Sequence, residues 1–430
     1  MSEASIGATG ALETRRAVTS ARATLSSAVA VVVVSVGLAC GGGGRDEPAA
    51  PRAGRTLTIY SSLPLQGQGR AASIDIDNGQ KLALQDARGR AGRFRIRYRS
   101  LDAATAAAGR WEPDRVSANA RRAVRDGSTI AYLGDASSGA AAISIPILNE
   151  AGILLISPTN TYVGLTRAEG ADRGEPGKYY PTGQRTFGRV VPADHVQAAA
   201  QVSYQRDKGC TRVFILHDKG VYGKGLADTI ARIGRQRGLE LVETAAIDTQ
   251  IAVFRSLADR IAAADANCVF FGGNVESHAV KLFRDVAAAN PAVRLFGPDS
   301  LAVPAFTEEL GRELERRTYV TSPTLAPNLY PPAGREFFAR YRRLHGRDPA
   351  TYAIYGYEAM KLALAAIEQA GARGDDRAAV VQAFFRVKRR ESVLGAYAID
   401  GHGDTTLQDY GGYRVSGGEL AFDQVIHAAG

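Results

Sequence analysis

The sequence predicts an α/β protein made of two doubly wound parallel-sheet lobes. Three observations carry this. The chain has 430 residues, more than one hydrophobic core organises. Short apolar strand-like runs alternate with amphipathic helical stretches, the rhythm of βαβ units. That rhythm breaks once, over residues 167–188, which are rich in Gly, Pro and charge, and then restarts on the same plan.

In the first half, residues 56–63 (TLTIYSSL) read as a strand and 77–87 as a helix. Residues 94–101 (FRIRYRSL) read as a strand of alternating pattern, and 115–125 are helical. Strand 130–133, helix 140–150 and strand 153–156 (ILLI) follow. The second half runs helix 193–206, strand 212–217 (RVFILH), helix 225–237 and strand 239–245. It continues with helix 254–264, strand 268–271, helix 278–289 and strand 294–296. A helix over 352–370 and a hairpin-like stretch over 393–415 complete the chain. Tyr352, Tyr355 and Tyr357 read as residues that pack that helix.

Composition removes several functions. Hydrophobic residues make up 45% and charged residues 23%, as in an ordinary folded chain. The formal charge is +9, yet only eight of the 53 basic residues are Lys, and the Arg are scattered beside acids. No nucleic-acid partner is expected from that scatter. Six isolated His and three Cys offer no metal-ligand pattern, so no metal and no cofactor is expected. Gly67, Gly69 and Ala72 match GxGxxA, but no acid ends the second strand at dinucleotide-binding spacing. Gly134 to Gly139 (GDASSG) is mis-spaced for a nucleophile elbow. With no P-loop either, the chain reads as a binding protein, not an enzyme.

Residues 1–39 read as a signal peptide. Arg15, Arg16 and Arg22 precede an apolar run over 23–39, which ends in Leu38-Ala39-Cys40. This ending resembles the lipobox of bacterial lipoproteins, which implies lipidation at Cys40. Residues 40–55, opening with four Gly, read as a flexible tether. The protein is therefore expected to be exported and held on the outer face of the cytoplasmic membrane by a lipid anchor.

In open α/β sheets, ligands bind beyond the carboxyl ends of the strands. Polar residues gather there in both halves: Ser138 at a helix N-terminus, Ser157-Pro158-Thr159-Asn160-Thr161, the run from Asp218 to Gly225, Gly272-Gly273-Asn274, and Asp299. That pattern predicts a cleft between two lobes. A helix N-terminus bearing Ser138 suits a carboxylate, although a Ser there would also serve as an ordinary helix N-cap. Cys210 and Cys268 both start strands in the second half, and an exported protein meets oxidising conditions, so they are expected to form a disulfide.

The strings IPILNEAGILLISPTNT (145–161), HDKGVYGKGLA (217–227) and FGPDS (296–300) resemble the leucine/isoleucine/valine-binding protein family. These proteins are the substrate-binding components of branched-chain amino-acid ABC transporters. The stretches YPPAGREFFARYRRLHGRDP, TYAIYGYEAMKLALAAIE and SVLGAYAIDGHGDTTLQDYGGYRV resemble its C-terminal part, so the likeness spans roughly residues 56–425. It implies a type I periplasmic binding fold with three crossovers as a hinge. Lobe 1 then takes residues 56–190 and 323–392, and lobe 2 takes 191–322 and 393–430. It also implies roles. Ser138 and Thr161 would hold a ligand α-carboxylate by their hydroxyls. The Thr159 carbonyl would accept from the α-ammonium. Tyr222 would close from the second lobe, and Asp299 would stand where the family has a Glu counter-ion. Two positions depart: Ala72 replaces an aromatic and Asn274 replaces a tyrosine, which makes the side-chain pocket wider and more polar. The implied function is capture of an amino acid, of branched-chain type or a related small polar ligand, for delivery to ABC permease subunits. A ligand-sensing receptor of the same fold is the alternative.

Overall fold

The computed structural model describes residues 55–428. The expected signal peptide, Cys40 and the expected tether up to residue 54 lie outside the described residues. Pro51–Gly430 forms one compact unit.

The first sheet starts from β1 (Thr56–Leu63), followed by helix α1 (Arg70–Asp86), the short β2 (Arg90–Ala91) and β3 (Phe94–Asp102). Then come α2 (Pro113–Arg125), β4 (Thr129–Gly134), α3 (Ser138–Glu150), β5 (Leu154–Ser157) and β6 (Phe187–Arg189). The strand order is β2-β3-β1-β4-β5-β6, parallel except for β2. β4 and β5 are buried at every residue, because helices cover both faces of a parallel sheet. β3 alternates instead: Phe94 and Ile96 enter the core while Arg95, Arg97 and Arg99 are exposed. Helix α1 starts seven residues earlier than its sequence pattern suggests. The reason is tertiary: Asp75 is buried and accepts hydrogen bonds from the Arg347 guanidinium (2.7 Å) and the Ala350 N–H (2.7 Å).

The second sheet follows α4 (Asp194–Asp207). It contains β7 (Arg212–His217), α5 (Val221–Gln236), β8 (Glu240–Ala246), α6 (Arg255–Ala263), β9 (Cys268–Gly272), α7 (Ala279–Ala289) and β10 (Arg294–Gly297). Helices α8 (Pro304–Leu310) and α9 (Arg312–Glu315) lead to β11 (Thr318–Ser322). The chain then returns to the first lobe through α10 (Pro332–His345), α11 (Ala353–Gln369), α12 (Arg377–Phe385) and the small hairpin β12 (Arg390–Ser392) and β13 (Gly395–Tyr397). Finally β14 (Asp409–Ser416) and β15 (Glu419–His427) add an antiparallel hairpin to the second sheet, in the order β15-β14-β11-β10-β9-β7-β8. The closing hairpin is thus displaced from residues 393–415: Gly417 and Gly418, both at positive φ, make its turn.

The lobes join at three places. The first lies between Arg189 and Asp194 and the second between Ser322 and Pro332. The third lies between Ile399 and Asp409, not just before Val393. Val393, Leu394, Tyr397 and Ile399 are apolar side chains packed in the first core with Phe337, Met360 and Phe384, and the Tyr397 hydroxyl donates to Glu358 of α11 (2.7 Å). Arg189 ties the first and third passages together. It is fully buried, and it donates to Asp404 (2.8 Å) and to the carbonyls of Asn160 (3.0 Å) and Tyr162 (2.9 Å). Burial alone would raise the Asp404 carboxyl, but Arg189 and Arg167 hold it down at about 2.

Cys210 and Cys268 are bonded, with Cα atoms 5.7 Å apart. β7 and β9 are neighbours with Val213 opposite Cys268, and the turn before β7 carries Cys210 back alongside it.

Candidate ligand-binding cleft

The carboxyl ends of both sheets face a cleft of about 480 Å³, enough for a small metabolite. Its walls come from different lobes and differ in chemistry.

The first wall centres on the N-terminus of α3. Ser137 takes the N-cap position in extended conformation, yet its hydroxyl makes no capping bond, and the first N–H groups of α3 lack a side-chain acceptor. Ser137 and Ser138 line the cleft. Ser138 is buried, and its Oγ accepts the Tyr162 N–H (3.3 Å). The Thr159 hydroxyl donates to the Asp135 carbonyl (2.9 Å), so the Thr159 side chain is spent on positioning the loop while its residue lines the cleft. Asp135 is itself buried, and burial pushes its carboxyl up to about 7 against the pull of Ser144. Trp111, from the loop after β3, and Tyr352, just before α11, complete this wall with Ala72, Ile76 and Arg110.

The second wall is acidic. Asp218 follows β7 and is an organiser: its carboxylate accepts from the N–H groups of Gly220 (2.9 Å) and Asn274 (3.3 Å) and from the Ser277 hydroxyl (2.9 Å). Gly223 and Gly272 meet backbone to backbone; a Cβ on either would lie 2.4 Å from the carbonyl oxygen of the other. Only glycine lets α5 sit this close to the end of β9, and that seating aims Tyr222 into the cleft. Asp299 follows β10 and is buried. The Tyr222 hydroxyl donates to its Oδ1 (2.5 Å), and the Tyr352 hydroxyl, from the opposite lobe, donates to its Oδ2. Burial raises the Asp299 carboxyl above its ordinary range, and the two tyrosine hydroxyls oppose that shift. A carboxylate has about four acceptor sites, so two tyrosines leave room for a cation. Glu276 also lines this wall; burial raises its carboxyl, Arg110 opposes the shift and Asp218 adds to it.

Five of the six residues expected at the site therefore meet: Ser138 and Thr159 from one lobe, Tyr222, Asn274 and Asp299 from the other. Thr161 does not line the cleft. It stands behind the first wall, where its carbonyl accepts the Asp194 N–H (2.7 Å) at the start of α4. Its neighbour Asp194 is buried, and burial together with the nearby Asp299 charge pushes that carboxyl up to about 8. Trp111, Arg110, Glu276 and Tyr352 were not expected there. Trp111 carried a usable signal: it is the sole Trp and it follows a strand. It supplies an aromatic that Ala72 does not. Tyr352 had none, since a tyrosine at a helix start is as apt for packing as for binding. Among the described residues, no cluster of three or more His, Cys, Asp and Glu could hold a metal ion.

Comparison with known proteins matches this architecture. A family model described as periplasmic binding protein covers residues 56–419. A Leu/Ile/Val-binding protein, BraC3, of Rhizobium johnstonii is 28% identical over 374 residues, covering 86% of this chain and 95% of its own. An amino acid binding protein of Pseudomonas aeruginosa is 27% identical over 302 residues, 70% of this chain and 75% of its own. Among solved structures, a leucine-binding protein LivK of Thermotoga maritima superposes with a TM-score of 0.75 at 20% identity, over 86% of this chain and 99% of that one. A solute-binding protein of R. palustris in complex with benzoate superposes with a TM-score of 0.68 at 19% identity, over 87% and 96%. With two wound lobes, three passages between them and a cleft at the strand ends, the chain belongs to the periplasmic binding protein family, whose members bind solutes outside the cytoplasm.

Proposed function

We propose that the cleft captures an amino acid as its zwitterion and that the protein hands it to an ABC permease at the outer face of the membrane. The placement of Asp299 carries this reading. A charged acceptor, steadied by Tyr222 and Tyr352, faces across the cleft from a wall of helix N–H groups and hydroxyls. An ammonium fits the first and a carboxylate fits the second. Charge-assisted hydrogen bonds at both ends offset the desolvation of the two charges. The names of the curated relatives, amino acid binding and Leu/Ile/Val-binding, support the same class. Ala72 leaves the remaining pocket wide, and Asn274 and Glu276 make it more polar than a purely aliphatic side chain needs.

A second reading has one observation behind it. The benzoate-bound neighbour shows that this fold also takes aromatic acids, and Trp111 offers a flat apolar surface. Calorimetric titration with the twenty amino acids and benzoate separates the two. At least one amino acid should bind at micromolar affinity or better, with benzoate far weaker. Tight benzoate binding and no amino-acid binding would replace the first reading with the second. Membrane delivery rests on Cys40 as the lipidated residue: Cys40→Ala protein should leave the detergent phase into which the parent partitions.

A further inference from the structure

Arg95, Arg97 and Arg99 sit on one face of β3, two residues apart, and all three are exposed. That face is the side covered by α2, whose last two turns carry the exposed Arg121, Arg122 and Arg125. The two rows converge. Arg99 and Arg122 both act on the Tyr60 hydroxyl, and Arg97 acts on Asp126, which itself accepts the Tyr60 hydroxyl (3.0 Å). Among the described residues, none of the six arginines has a carboxylate within ion-pair distance, whereas Arg342, Arg343 and Arg373 elsewhere on the surface each do. The acids facing the patch are Asp126, engaged by Ser128 and Tyr60, and Glu150 beside Arg121 and Arg125. Like charges at this spacing repel, so the patch weakens the fold unless an external anion answers it.

Its position says which anion. β1 pairs in parallel with β3, and Thr56 lies opposite Arg95. The chain that precedes Arg55 therefore enters the folded unit at the edge of the patch. With Cys40 as the anchor of the proposed function, only about fifteen residues of sequence separate the lipidated position from these arginines. The cleft opens at the other, carboxyl ends of the same strands.

We propose that this basic face of lobe 1 docks on anionic phospholipid headgroups and parks the anchored protein with its cleft toward solution, as a capture orientation. Guanidinium groups suit phosphate by geometry and charge. Each basic residue near an anionic surface adds about fivefold to partition, so three of them together are worth roughly 100-fold.

The test uses Pro51–Gly430, which holds both sheets and every hydrophobic cluster of the described residues. It omits Cys40, so binding reports the patch and not the anchor. Flotation with phosphatidylcholine vesicles, with and without roughly one-third phosphatidylglycerol, at low salt gives the partition. The parent should bind the anionic vesicles alone and be released by salt. The Arg95/Arg97/Arg99→Gln variant should lose roughly 100-fold, and so should Arg121/Arg122/Arg125→Gln. A control with Arg342, Arg343 and Arg373→Gln should bind as the parent does. Circular dichroism checks folding, and the two triple variants lie on different elements, so misfolding of one leaves the other to decide. No binding by the parent, equal loss in the control, or tighter binding to a DNA duplex than to anionic vesicles would each overturn the proposal.

Discussion

The two walls of the cleft are built from similar βα units yet present opposite chemistry. Lobe 1 offers helix N–H groups, hydroxyls, one Trp and one cation, Arg110, against a single carboxylate, Glu112. Lobe 2 offers three carboxylates, Asp218, Glu276 and Asp299, and no cation. A donor wall facing an acceptor wall suits the zwitterion of the proposed function, a molecule with separated charges of opposite sign. The Tyr352–Asp299 hydrogen bond crosses from lobe to lobe at the same wall. Tyr162 and Gly225 add to the same seam: a Cβ on Gly225 would lie 2.3 Å from the tyrosine ring, so glycine there lets the lobes meet.

Removing the central acceptor breaks the contrast most. Asp299→Ala should leave a buried ammonium without its counter-charge, lowering affinity by roughly 100-fold or more in calorimetric titration. Tyr352→Phe should cost about tenfold, because it removes one charged hydrogen bond and the inter-lobe link. The loss should appear mainly as faster ligand release in stopped-flow fluorescence of Trp111. Ser138→Ala should cost about five- to tenfold, since the α3 N–H groups still receive the carboxylate.

The smallest effect concerns stability. Asp135 and Asp194 hold protons in the folded state up to about 7 and about 8, respectively. The unfolded chain releases them near pH 4. The folded state thus binds more protons between those limits, and stability should fall as pH rises from about 4 to 8. Asp194→Asn should flatten that slope and raise the melting midpoint at pH 8 by a few degrees, given about 1–2 °C per kcal/mol for a chain of this size. A variant that melts with the parent's full pH dependence would show that Asp194 is ionised when folded.

The same contrast explains what could be read in advance. Strands such as RVFILH and ILLI are short apolar runs between turn signals, and a cleft was expected beyond the strands' carboxyl ends, where Ser138, Tyr222 and Asp299 line it; the roles proposed for these residues came from the family resemblance. Thr161, expected from the resemblance, lies off the cleft lining: a residue four positions past a strand can face the cleft or the crossover, and spacing does not say which. Tyr352 reaches the cleft only through packing between segments far apart in the chain, while Glu276 lies in the segment after β9, two residues past Asn274. The lobe boundary after Ile399 depends on which core Val393 and Leu394 enter, and both cores are equally apolar. Helix α10 was not expected, although Phe337, Phe338 and Tyr341 give it an amphipathic pattern; it has no strand neighbours to mark it.

The most direct measurement compares the tightest-binding amino acid with two counterparts of the same side chain, one lacking the amino group and one lacking the carboxylate, by calorimetric titration into the parent and Asp299→Ala. Both counterparts should bind at least about 100-fold more weakly to the parent. The deaminated acid alone should then gain nothing from Asp299 and bind the parent and the variant alike or favour the variant. A deaminated acid that binds the parent as tightly as the amino acid would contradict recognition of a zwitterion between the two walls.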